Sequence, residues 1–144
     1  MTSELIFQYS TWLAIAGWII IIIAPFTKLT TKLVKWGLIP ILLSIIYGYL
    51  VIRCFGSAEG GFGSLEELTI LFQNKNTLLA GWIHYLAFDL WIGCWEVEDA
   101  EKNNFSRWLV IPCLFFTLMY GPIGLLLYIL IRFIFTRKLI HENF

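Results

Sequence analysis

Charge is scarce in this sequence. Asp, Glu, Lys and Arg make up 14% of its 144 residues, where soluble domains carry about a quarter. That shortage excludes an ordinary water-exposed surface. The ten basic and ten acidic residues cancel, and the basic ones form no long run, so no nucleic-acid partner is expected. Cysteine is nearly as rare. Cys54, Cys94 and Cys113 stand far apart, without C-x-x-C or Cys/His ligand spacing, which leaves neither a metal centre nor a disulfide framework. They read as small apolar side chains. Gly56, Gly60, Gly61 and Gly63 form neither a P-loop nor a G-x-G-x-x-G pattern, so no nucleotide is implied, and no cofactor is expected. The opening Met1-Thr-Ser-Glu4 lacks a basic n-region, and the apolar run behind it continues to Pro25 without a cleavage pattern. It is read as a retained first span.

Hydrophobic residues are abundant instead, at 59% with a mean hydropathy of +0.78. Seven Trp and six Tyr suit a bilayer protein with interfacial anchors. The expected fold is all-α: a single polytopic membrane domain over 1–144. Crossing about 30 Å of hydrocarbon takes about 20 helical residues. Four runs qualify, near 5–24, 36–52, 78–95 and 108–131, and both termini then lie on one side. Pro25 ends the first span, since the residue before proline is pushed out of helical geometry. Pro40 sits in the first turns of the second, where its missing N–H does little harm. Gly121-Pro122 should kink the fourth, either as a packing bend or to open a cavity beside Tyr120. Ser64 and Glu67 form an S-x-x-E capping box that starts a helix near 65–73. That helix is too short to span, so it is expected in the interface or as a shallow re-entrant segment.

Sidedness is not decided by charge. Four spans place Lys28, Lys32, Lys35, Lys102 and Arg107 on one side, and Arg53, Lys75, Arg132, Arg137 and Lys138 on the other. The positive-inside rule therefore ties.

The stretch 81-GWIHYLAFDLWIG-93 carries the chemistry. His84 and Asp89 flank the middle of the third span, where a carboxylate costs roughly 2.5 to 3.5 kcal/mol on insertion scales. Both are expected to face the bundle interior and border one polar pocket beneath the 65–73 helix. Five residues of helix separate them by about 140° and 7.5 Å, so direct contact is not expected. Tyr47, Tyr120, Arg53 and Arg132 are candidate partners for Asp89. A polar clamp between helices, worth about 0.6 kcal/mol per hydrogen bond, is the alternative to a binding or catalytic site; the site is favoured, because stability alone could use Ser or Thr at less cost. Gly81 and Gly93 should let neighbouring helices approach closely.

The runs GFGSLEELTILF, LLAGWIHYLAFDLWIGCWEVEDA and LVIPCLFFTLMYGPIGLLLYILIR resemble the abscisic-acid-deficient-four-like family, over about three quarters of the chain. Trp82, Ile83, His84, Leu86, Asp89 and Leu90 match its W-[IV]-H-x-L-x-x-D-L core, and Gly121 to Leu127 its G-P-x-G-L-L-L segment. The family is named for a plant plastid protein required to make the allenic carotenoid neoxanthin from violaxanthin. The chain shows no Ser/Arg-rich, acid-poor transit peptide, so a bacterial member in the inner membrane is expected.

The resemblance implies a protein that binds or isomerises a carotenoid or similar polyene lipid. Turning an epoxide into an allene is redox-neutral and needs an acid at the epoxide oxygen and a base at the adjoining chain. His84 and Asp89 are the candidate pair, in either order of roles. Trp82, Tyr85, Phe88 and Trp91, with Tyr120, would line an apolar slot, although lipid-facing surface and ordinary packing account for such aromatics too. Two alternatives stand beside this reading. One is a non-catalytic lipid- or pigment-binding or assembly protein, self-associating or with another enzyme. The other is a small proton or ion pathway, for which the other spans offer no buried carboxylate.

Overall fold

A computed structural model describes residues 2–30, 36–54 and 59–137; Lys32, Lys35, Gly56 and Lys138 lie outside them. Six helices are fully defined there: α1 Ser3–Ile23, α2 Leu38–Cys54, α3 Leu65–Gln73, α4 Lys75–Lys102, α5 Arg107–Tyr120 and α6 Pro122–Thr136. No strand occurs among the described residues. Two helices, α1 and α4, are long and apolar enough to cross a membrane.

The all-α expectation holds, and α1 and α2 fall within two residues of the first two expected spans. α3 occupies 65–73 as expected. Ser64 caps it by accepting the Glu67 N–H at 3.1 Å. The reciprocal bond lands one residue further out than a capping box places it, with Gly63 N–H donating to Glu67 Oε2 at 3.0 Å.

Two boundaries depart from expectation. α4 continues past Trp95 for seven residues to Lys102. Charge begins at Glu96 and suggested an end there, but the acidic side chains find partners. Glu98 pairs with Lys102 one turn on, at 2.9 Å, and Asp99 pairs with Arg132. The expected fourth span is not one kinked helix. Gly121 takes φ +49 and ψ −99, a conformation open to glycine and hostile to other residues. Pro122 then occupies the first turn of α6, where its lack of an N–H costs little. α5 has 14 residues and α6 has 15, lengths of about 21 and 22 Å that fall short of a hydrocarbon core.

The chain forms two compact units. One comprises 1–15 and 39–88, the other 16–38 and 89–144. In the first, α1 and α4 run parallel: Ser3 Oγ donates to Asn76 at 2.7 Å and Trp82 Nε1 to Thr11 at 3.1 Å. Gly81 receives the Phe72 ring of α3, and a Cβ there would come within 2.7 Å of it.

In the second unit, Gly93 admits the Trp18 ring, which a Cβ would meet at 2.7 Å. Both glycines thus serve close approach, as the sequence suggests. The Phe105 N–H bonds the Ala100 carbonyl, so α5 starts beside the end of α4. Its far end, Gly121, lies against Asp89. α6 returns, and Tyr128 and Arg132 meet Asp99. α5 and α6 therefore form an antiparallel hairpin on the second half of α4. The backbones nearly touch at its turn: a Cβ on Gly124 would sit 2.0 Å from the Thr117 nitrogen.

Candidate functional site

In the first unit residues of α2, α3 and α4 line an open cavity of about 480 Å³, inside the roughly 300–1,000 Å³ range of small-molecule sites. Val51, Phe62, Leu71, Phe72 and Ala80 give it apolar walls, and Tyr47, Thr77 and His84 add polar groups. His84 is positioned by aromatic contact. Its ring centroid lies 5.3 Å from Tyr47 and 4.6 Å from Phe88, one helical turn further along α4, where i and i+4 share a face. The imidazole is exposed rather than enclosed, so its edge is open to a ligand. Closure of the cavity depends on α3, which lays Phe72 on Gly81.

The other residues expected at the site are placed as follows. Trp82 packs on Phe7 and Tyr85 at 6.0 and 5.6 Å and lines a second cavity of the same unit, about 410 Å³, with Phe7, Lys75 and Leu78. Phe88 is exposed and reaches the His84 cavity only through the imidazole. Trp91 lies over Gly37 in the second unit. Tyr120 is exposed and stacks on Phe116 at 6.3 Å. Asp89 belongs to the second unit, half-buried, with its carboxylate against Gly121. It is not among the residues lining the His84 cavity. Two of its candidate partners are engaged elsewhere: Arg132 with Asp99, and Arg53 over the Tyr49 ring at 5.9 Å.

The second unit holds a polar cluster that the sequence reading missed. Glu96, Asp99, Thr117 and Arg132 are all buried, at no more than 3% exposure, and Tyr128 is buried with them. Thr117 donates to Glu96 Oε1 at 2.8 Å. Tyr128 and Arg132 both donate to Asp99 Oδ2, at 2.8 and 2.7 Å, and Trp95 sets its ring edge-on to Tyr128. Spacing could have revealed it. Asp89, Glu96 and Asp99 are seven and three residues apart, so they fall along one side of α4. Among the described residues no group of three or more His, Cys, Asp and Glu is arranged to hold a metal ion.

No solved structure matches this chain. Protein ABA DEFICIENT 4, chloroplastic, of Arabidopsis thaliana is 24% identical over 129 residues, an alignment covering 83% of this chain and 57% of that one. The chain thus spans little more than half the length of that relative. The ABA DEFICIENT 4-like family model matches residues 5–128, which takes in α1 to α5, His84, Asp89 and most of the buried cluster. On that match, the chain belongs to the ABA DEFICIENT 4-like family.

Proposed function

We propose that this is a multi-pass membrane protein that binds a carotenoid-class polyene lipid in the cavity of its first unit, with His84 meeting an oxygen on the end ring. One observation carries the reading. A largely apolar cavity presents a titratable imidazole between two aromatic rings. Flat rings suit a conjugated chain, and the few polar groups can fix where its oxygenated end stops. The outward surface supports a lipid setting. Trp12, Ile23, Ile45, Ile52 and Trp108 are each more than 60% exposed, large apolar side chains that a lipid setting would cover.

The same site can serve an isomerisation of the type implied by the family resemblance. Opening an epoxide to an allenic alcohol adds one proton to the epoxide oxygen and removes one from the adjoining chain carbon, so atoms and electrons balance without a redox partner. His84 is the candidate base there; Asp89, the candidate acid of the family resemblance, is not among the residues lining this cavity.

Expression in a host that makes epoxy-carotenoids tests both levels. Pigment should copurify in mild detergent, and Ala80→Phe, which fills the cavity, should abolish it. An allenic product in the host extract would add turnover to binding. A colourless protein from a pigmented host would end the polyene reading.

A further inference from the structure

We infer that Glu96 is a proton-binding site: a neutral carboxylic acid held inside the second unit, beside an ion pair that keeps its charge. The argument is one of charge balance in a closed space. Glu96 is fully buried and Asp99 nearly so, and Arg132 is the one cation buried with them among the described residues. Its guanidinium is committed to Asp99, Nε to Oδ2 at 2.7 Å, and the Tyr128 hydroxyl donates to the same oxygen. Asp99 is therefore the ionised partner.

Glu96 receives one hydrogen bond, from Thr117 to Oε1. Its Oε2 is buried and has no hydrogen-bond partner among the described residues. An ionised Glu96 would leave a second buried negative charge with no counter-ion, a far larger penalty than burying one acid hydroxyl. A proton is also the ligand that fits, since no metal-binding arrangement exists among the described residues.

The titratable and charged groups near Glu96 sharpen this. Asp89 lies two turns earlier on the same side of α4, about 10.5 Å along the axis. α5 presents Cys113 and the Thr117 hydroxyl, α6 presents Tyr128 and Arg132, and Asp99 lies one turn on. Negative or neutral groups outnumber the one cation. The hairpin shields the site, because Gly124 lets α6 close on Thr117, the residue that holds Glu96 in place. This inference stands apart from the polyene reading and uses neither the cavity nor His84.

Infrared difference spectroscopy of the detergent-purified protein tests it. At pH 6, where ordinary carboxylates are ionised, the unmodified protein should show the C=O stretch of a protonated carboxylic acid, shifted in heavy water and lost as the pH rises. Glu96→Gln should remove that band. Should that variant not fold, Glu96→Asp keeps an acid and must move the band in frequency. Asp99→Asn should lower the pH at which the band disappears, because Arg132 then favours an ionised Glu96. Absence of the band at pH 6 in the unmodified protein overturns the inference, as does a band unchanged by both Glu96 substitutions.

Discussion

Asp99 and Arg132, 33 residues apart, meet at 2.7 Å with both side chains 2% exposed. The bond ties the end of α4 to the end of α6 and so closes the hairpin on its support. Removing one member of such a pair strands a buried charge, at a cost of about 3–5 kcal/mol. Arg132→Met should therefore lower the thermal midpoint in detergent sharply. The double substitution Asp99→Leu/Arg132→Met should recover most of the loss, because buried pairs replaced by apolar side chains are often neutral or better. A double variant as unstable as the single one would show that the pair is not the source of the loss.

The hairpin replaces the expected fourth span. α5 starts beside the end of α4, and α6 returns to it, where Arg132 meets Asp99. Cysteines placed singly at Arg107 and Arg137, in a chain freed of its own three, should label from the same side. Labelling from opposite sides would restore the fourth span.

Much of the fold was legible because it follows from local chemistry. Apolar length located α1 and α2, and Ser64 with Glu67 located α3 to the residue. The His84 environment was legible only in part. Phe88 stands four residues from His84 on α4, within reach of local spacing, while Tyr47 and Phe72 come from other helices, which periodicity within one helix cannot rank. The hairpin was hidden for a related reason. Gly-Pro in an apolar run marks either a kink or a reversal, and the choice rests on contacts such as Thr117 with Gly124 that lie outside local propensity. Glu96 and Asp99 were missed because charge was read as the end of a span. The seven residues from Asp89 to Glu96 and the three from Glu96 to Asp99 were the available signal.

Two glycines should answer oppositely to alanine. Gly124→Ala must push the Thr117 backbone aside, and backbone cannot yield as a side-chain tip can. A marked loss of folded protein is expected, of the order of overpacked cores at about 1–3 kcal/mol. Gly48, within α2, has open space where a Cβ would go. Gly48→Ala should therefore be neutral or stabilising by up to about 1 kcal/mol, from helix propensity. Thermal unfolding of both variants in one detergent decides it, and equal responses would count against the close hairpin.

His84 and Asp89 should separate binding from chemistry. The His84 ring is exposed, so His84→Gln is expected to fold with stability changed by less than about 0.5 kcal/mol, as surface substitutions usually are. If the imidazole meets the polyene, pigment retained through purification should fall at least tenfold in that variant. Asp89→Asn preserves shape and hydrogen bonding beside Gly121 but removes the acid. Its pigment content should match that of the unmodified protein, while formation of any allenic product stops. Gly121→Ala offers a check on position, since a Cβ there would come within 2.9 Å of Asp89 Oδ1 at a backbone angle unfavourable to alanine. It should damage folding and product formation together, unlike Asp89→Asn. Pigment analysis of the three purified variants beside their thermal midpoints gives the answer. Should His84→Gln and Asp89→Asn both fold and keep full pigment and product, the pair is a structural clamp in α4, and the acid and base must be sought elsewhere.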